Sequence, residues 1–227
     1  MTHSFPKIIW QTHNHKKEWL PHHLNMIAGT WANLNPGWQY RYVDQVERDE
    51  KIRQYPEIYE VYKYRMPTVQ SDIWRFIITY EEGGCYADMD SVCRKPLDYM
   101  LQNINSDSEI ITVPENDGMG NTHNYIVKPK SQVMKMVIDK MAEGINKGIP
   151  VPSPTYPFSV FVDTVYSYPN TCKLFDAANH SNIYKKRFLE KEHTIDYYGK
   201  KMQYDDFVNQ NNLNYLVFDN IYKQNAI

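Results

Sequence analysis

The sequence predicts a single α/β domain that spans residues 1–227. Short runs of β-branched and aromatic residues alternate with stretches in which apolar residues recur at helical spacing. Glycine and proline stand at several of the boundaries, and no repeat or linker interrupts the order. Strands that alternate with helices are typical of a sheet covered by helices, and 227 residues suffice to bury one substantial core.

The first half of the chain contains most of the predicted elements. The apolar run at residues 7–11 follows Pro6 and predicts the first strand. Trp38, Tyr40 and Tyr42 alternate with polar residues, which predicts a second strand. Helices are predicted at residues 21–34, 45–54, 57–66 and 68–82, and further strands at residues 85–87, 109–113 and 124–127.

Fewer elements are predicted in the second half. Apolar residues at helical spacing predict a helix at residues 133–146, followed by a proline-rich loop at residues 148–157. Another helix is predicted near residues 159–168. After residue 170 the pattern weakens, and it predicts no boundaries.

Composition limits the classes of partner. The formal charge of −2 gives no general electrostatic attraction to nucleic acid. The 19 tyrosines offer flat apolar faces with polar edges, which suit sugar rings and bases. Three scattered cysteines indicate a reducing compartment, and no signal peptide or membrane span is evident. We therefore expect a cytoplasmic protein.

The segment from Ser71 to Asp90 carries the strongest chemical signal. Thr68 is predicted to cap its helix, the glycine pair at residues 83–84 to end it, and a short strand to lead into Asp88. Carboxyl ends of strands are where open α/β sheets bind ligands, and Mg²⁺ or Mn²⁺ prefers carboxylate oxygens. Because Asp88 and Asp90 would point the same way from an extended strand, we expect a bend after Asp88 or unequal roles for the two.

Asp72 and Arg75 lie three residues apart and therefore on one side of the predicted helix. One interpretation is an ion pair within the helix. The other is functional: Asp72 accepts hydrogen bonds from sugar hydroxyls, and Arg75 donates to a phosphate or sugar oxygen.

These spaced residues resemble the core of the DXD-containing sugar transferases of glycosyltransferase family 32. The family includes yeast-type mannosyltransferases, capsular polysaccharide transferases and the glucosylating domain of large clostridial toxins. The run FPKIIWQT at residues 5–12 also resembles the opening strand of the family. The matching positions are Asp72, Arg75, Gly83, Gly84, Tyr86, Asp88 and Asp90.

The resemblance implies a GT-A type fold with a Rossmann-like nucleotide-sugar-binding sheet. It also implies a UDP- or GDP-sugar donor, Mn²⁺ or Mg²⁺, a glycan or other hydroxyl acceptor, and retention of anomeric configuration. Asp72 and Arg75 would contact the donor sugar, and Asp88 and Asp90 would hold the metal, with Asp88 also contacting the donor. Positions implied to line the nucleotide are Ile9, Trp10, Gln11 and Tyr86. Candidates for a third metal ligand are His123, His180, His193 and Asp219.

Two alternatives stay open. The run DMDSV at residues 88–92 fits the motif of haloacid-dehalogenase-like phosphatases, in which Asp88 would attack phosphate and Asp90 would act as acid and base. That motif normally closes the first strand of its domain, and it leaves Asp72 and Arg75 unexplained. The second alternative is a non-catalytic module that binds a nucleotide sugar.

Overall fold

A computed structural model of the protein describes residues 4–65, 67–93, 96–101, 108–114, 120–146, 172–174 and 184–185. Helices and strands alternate along most of these ranges. In chain order they are β1 (Ile8–Thr12), α1 (His22–Leu34), β2 (Gln39–Val43), α2 (Gln45–Ile52), α3 (Pro56–Tyr62), α4 (Pro67–Glu82), β3 (Gly84–Ala87), β4 (Val92–Cys93), β5 (Ile110–Pro114), β6 (Gly120–Val127), α5 (Gln132–Asn146), β7 (Cys172–Leu174) and β8 (Tyr184–Lys185).

Six strands form one mixed sheet in the order β2-β1-β3-β6-β5-β7. β1 runs parallel to both β2 and β3, so the carboxyl ends of these three strands meet at one edge. β6 is antiparallel to β3 and β5, whereas β7 is parallel to β5. The amino end of β6 therefore lies beside the carboxyl end of β3. β4 and β8 pair with each other in a separate ribbon.

Alternate residues of the central strands enter two hydrophobic layers, one on each face of the sheet. Ile9 and Cys85 pack in the layer that includes Trp31 of α1. Trp10 and Tyr86 point the other way, into the layer formed with α2, α3, α4 and α5. Because helices cover both faces, the central strands are apolar on both sides, as strands buried in α/β sheets usually are.

Helix α4 is bounded by proline and glycine. It begins at Pro67, a residue suited to the first helical position because no partner is needed there for a backbone N–H. The prediction that Thr68 caps the helix is therefore wrong, since Thr68 lies within the first turn. At the other end, Gly83 and Gly84 have φ values of 68° and 98°. A Cβ on Gly84 would lie 2.7 Å from the carbonyl oxygen of Ile8, so glycine is needed for space as well as for conformation.

The helices and strands predicted between residues 7 and 146 are confirmed, with ends that shift by a few residues. β6 is longer than predicted, and β4, β7 and β8 were not predicted. The loop at residues 148–157 and the helix at residues 159–168 lie outside the described residues. The extent of the domain, residues 1–227, stays a prediction. Among the described helices, none combines the length and apolar character needed to cross a bilayer.

Candidate active site

The backbone turns sharply directly after β3. The amide of Ser91 donates to the carbonyl oxygen of Asp88 at 3.1 Å, which closes a four-residue turn with Asp90 in its third position. Between the two carboxylates, Met89 is 7% exposed and packs against α1. Asp88 and Asp90 are both partly exposed. The bend that the residue spacing predicts is therefore present, and the buried Met89 anchors it to the fold.

Arg75 joins helix α4 to the end of β3. It is 5% exposed, forms an ion pair with Asp72 one turn earlier, and places Nη1 3.3 Å from Oδ1 of Asp88. The same Nη1 donates to the carbonyl oxygen of Thr122 in β6 at 2.7 Å. The guanidinium also lies over the ring of Tyr86, 4.5 Å from the centroid. The predicted ion pair within the helix is present. Arg75 also contacts the turn formed by residues 88–91, which we call the acidic turn.

The electrostatics of this cluster keep Arg75 charged. Burial acts to lower the pKa of Arg75, but the carboxylates of Asp72 and Asp88 more than offset this, so the pKa lies above its ordinary value. Burial raises the pKa of Tyr86 well above its usual range, and its neutral hydroxyl donates to Oδ1 of Asp88 at 2.7 Å. The side chains of Asp72 and Asp88 are each 14% exposed. Two accessible carboxylates thus flank one buried cation.

The first two predicted nucleotide-lining residues of β1 lie inside the fold. Ile9 is 0% exposed within the layer beside α1. Trp10 is 2% exposed, and its Nε1 donates to the carbonyl oxygen of Gly83 at 2.8 Å. Its ring also packs edge-on against Trp74 of α4. Both side chains therefore support the strand, and contact between them and a base stays a prediction.

Gln11 connects three strands beneath the acidic turn. Its Nε2 donates to the carbonyl oxygen of Asp88 at 3.0 Å, and its Oε1 accepts from the hydroxyl of Tyr40 at 2.8 Å. Because the side chain is 0% exposed, both bonds are shielded from water. Gln11 therefore fixes the backbone of the turn, a contribution that the residue pattern of β1 does not reveal.

Two further buried polar residues lie near the site. Asn124 of β6 donates from Nδ2 to Oγ of Ser91 at 3.3 Å, whereas its Oδ1 has no hydrogen-bond partner among the described residues. Arg48 of α2 is 0% exposed and bonds to residues at the carboxyl end of β1. A signal existed for Arg48, which lies four positions before the buried Ile52 and so shares its helical face.

The acidic turn suits a hard divalent cation. Mg²⁺ commonly takes one or two protein carboxylates and completes its shell with phosphate oxygens and water. Asp88 and Asp90 provide two carboxylates on a partly exposed turn. Within the described ranges, no group of three or more His, Cys, Asp or Glu residues is arranged to hold a metal. His123 lies in β6. The other candidate third ligands, His180, His193 and Asp219, lie outside the described residues.

Comparison with known families identifies this region. Residues 21–111 match the model of the glycosyltransferase sugar-binding region containing the DXD motif. That span includes α4, β3 and the acidic turn, and with them Asp72, Arg75, Asp88 and Asp90. This match bears out the predicted resemblance to the DXD-containing glycosyltransferases.

Two of the proteins to which the chain is similar come from yeasts. The chain is 34% identical over 119 residues to the initiation-specific alpha-1,6-mannosyltransferase of Candida albicans, an alignment that covers 49% of this chain and 30% of the relative. It is 29% identical over 112 residues to the putative glycosyltransferase HOC1 of Saccharomyces cerevisiae, covering 47% and 28%. The aligned part thus spans less than a third of either relative.

A solved structure supports the fold. The PaToxG glycosyltransferase superposes with a TM-score of 0.51 at 14% identity, covering 72% of this chain and 68% of that one. At this identity the likeness concerns the fold alone. It confirms the predicted α/β architecture of the GT-A type.

Proposed function

We propose that the protein transfers a sugar from a nucleotide-diphosphate sugar to a hydroxyl group of a glycan or other acceptor. The observation that carries the proposal is the bridge made by Arg75, which pairs with Asp72 on α4 and with Asp88 at the end of β3. The match of residues 21–111 to the sugar-binding region of glycosyltransferases supports the same activity. The name of the Candida albicans relative makes mannose the first donor sugar to test.

Asp88 and Asp90 would hold Mn²⁺ or Mg²⁺. When bound, such a cation supplies positive charge to the diphosphate leaving group. The protein itself contributes a turn whose backbone is held by Gln11 and Ser91 and whose middle residue, Met89, is buried. The backbone that carries the two carboxylates is therefore held in place by the protein itself.

Asp72 and Arg75 would orient the donor sugar. Asp72 retains a partly exposed carboxylate able to accept hydrogen bonds from sugar hydroxyls, while Arg75 stays buried and fixes its direction. Arg75 also places a permanent positive charge beside the leaving group. Donor and acceptor would react with retention of anomeric configuration, as in the family that the motif resembles.

The phosphatase alternative fits the fold less well. In that class the acidic motif closes the first strand of the domain, whereas Asp88 here follows β3, the third strand along the chain. Oδ1 of Asp88 also accepts a hydrogen bond from the hydroxyl of Tyr86 and forms an ion pair with Arg75. Both contacts lower the nucleophilicity of this oxygen. The transferase remains the function that explains all of these residues.

A donor panel tests the proposal directly. UDP- and GDP-sugars are incubated with the full chain and an acceptor mixture in Mn²⁺, in Mg²⁺ or in EDTA, and release of nucleoside diphosphate is measured. We expect release with one donor class that requires the cation and is lost in Asp88→Asn and Asp90→Asn. Asp139→Asn, on the exposed face of α5, is the matched control. Full turnover by Asp88→Asn, or hydrolysis of phosphomonoesters without this release, would refute the transferase assignment.

A further inference from the structure

Arg48 of α2 is a fully buried cation held by neutral groups. It is 0% exposed, and Nη1 donates to Oγ1 of Thr12 at 3.2 Å and to Oγ of Ser71 at 2.5 Å. Nη2 donates to Oδ1 of Asn14 at 2.5 Å. No ion pair joins Arg48 to a carboxylate in the part of the chain that the structure describes. The guanidinium thus connects β1 and the segment after it to α4.

The two hydroxyls that accept from Arg48 are themselves oriented. Thr12 donates its hydroxyl proton to the carbonyl oxygen of Val43 at 2.7 Å, and Ser71 donates its own to that of Pro67 at 3.0 Å. A hydroxyl has one proton to give, so each oxygen can only accept from the guanidinium. The network therefore has one hydrogen-bonding pattern, which ties β1, β2 and α4 to α2.

Stability alone does not account for an arginine at this position. Nε of Arg48 has no hydrogen-bond partner among the described residues, and Asp49 is engaged by the hydroxyl of Tyr62. A buried charge carries a desolvation penalty, and no carboxylate among the described residues pairs with Arg48 to offset it. The fold thus retains a costly group where a simpler one would fill the space.

The contacts of Arg48 end next to residues of the proposed site. Thr12 follows Gln11, whose side chain holds the carbonyl oxygen of Asp88, and Ser71 directly precedes Asp72. We propose that Arg48 is a positioning residue for the transfer reaction. It holds the end of β1 and the first turns of α4 in the register that sets Asp72 relative to the acidic turn. Its effect on catalysis rests on the proposed transferase function.

The test compares Arg48→Met and Arg48→Lys with Arg53→Met, a substitution at the exposed end of the same helix. Assays use the full chain at a temperature where every variant is folded. In Arg48→Met, kcat should fall by about 10²-fold, because misplacing a reactive geometry by about 1 Å has effects of this size. Affinity for nucleoside diphosphate with Mn²⁺ should change by less than about threefold, since the acidic turn is intact. Arg48→Lys keeps the charge without the planar fork and should recover only part of kcat.

The stoichiometry of nucleoside diphosphate binding, measured by calorimetry, separates a lower kcat of folded protein from a loss of folded protein. A merely destabilised variant would bind nucleoside diphosphate at reduced stoichiometry and lose kcat in proportion. Wild-type kcat in Arg48→Met would overturn the proposal, as would a fall explained entirely by stoichiometry.

Hydrogen exchange provides a readout that does not require transfer. In Arg48→Met, amides of residues 8–14 and 71–75 should lose protection together, whereas Arg53→Met should leave both segments unchanged. If the wild type transfers no sugar from any donor, the proposed function fails. The combined loss of protection in both segments would then decide by itself whether Arg48 positions β1 and α4. Unchanged protection in either segment would overturn it.

Discussion

The bridge made by Arg75 should appear as a measurable coupling between α4 and the acidic turn. The perturbation is a double-mutant cycle that combines Arg75→Met with Asp88→Asn. At the 3.3 Å separation of Nη1 and Oδ1, Coulomb's law with an effective dielectric constant of about 20 gives about 5 kcal/mol. Desolvation of two groups with side-chain exposures of 6% and 14% offsets much of this attraction. We expect a net coupling free energy of about 2 kcal/mol.

Urea unfolding of the four proteins at pH 7 provides the assay. Asp88→Asn should destabilise the wild type more than it destabilises Arg75→Met, in which the carboxylate has already lost its partner. The matched control is the exposed pair of Lys135 and Asp139 on α5, whose side chains are 45% and 58% exposed. Its cycle, built from Lys135→Met and Asp139→Asn, should give about 0.3–0.5 kcal/mol. If the coupling free energy of the Arg75 cycle is no larger than that of the surface pair, the ion pair of Arg75 and Asp88 does not link α4 to the acidic turn, and the prediction is wrong.

Two further predictions concern stability. Gly84→Ala should lower the free energy of unfolding by at least about 2 kcal/mol, because the residue has a φ of 98° and its Cβ would meet a carbonyl oxygen at 2.7 Å. Gly29→Ala, in the middle of α1 with open space around it, should instead raise stability by up to about 1 kcal/mol; equal effects in the two chemical denaturation curves would contradict this reasoning. Burial, with smaller contributions from His15 and Arg48, lowers the pKa of His13 to about 4. Since an unfolded histidine has a pKa of about 6.5, the unfolded chain binds more protons between these values, and stability should fall as pH drops through this window. His13→Gln should flatten that part of the profile of unfolding midpoint against pH, and an unchanged slope would exclude His13 as its source.

Local sequence patterns predict most of the fold in residues 7–146 because the elements there carry their own signals. The glycine pair ends α4, and apolar runs mark β1 and β3. β6 extends back to Gly120, which pairs with Pro114 of β5, and this pairing is not visible in the polar sequence of its first residues. β7 likewise exists through pairing with β5, about 60 residues earlier in the chain.

The candidate site likewise has features that local sequence patterns predict and others that depend on packing between distant elements. The turn at Asp88 and Asp90 follows from their spacing at a strand end, and the nearness of Asp72 and Arg75 follows from helical geometry. The contact of Arg75 with Asp88 requires the packing of α4 on β3, which no short-range pattern contains. Arg48 lies in an eight-residue helix with only two apolar residues, so its spacing of four from the buried Ile52 is the one local signal that this charge is buried.

One acceptor of Arg75 is a main-chain carbonyl, that of Thr122. It is available at this place because β6 runs antiparallel to β3 and extends past the carboxyl end of β3. Every amino acid carries the same carbonyl, so drift at position 122 leaves the bond in place for as long as the strand pairing survives. This anchor of Arg75 thus depends on the strand topology, whereas the contacts with Asp72 and Asp88 depend on the identity of those two side chains.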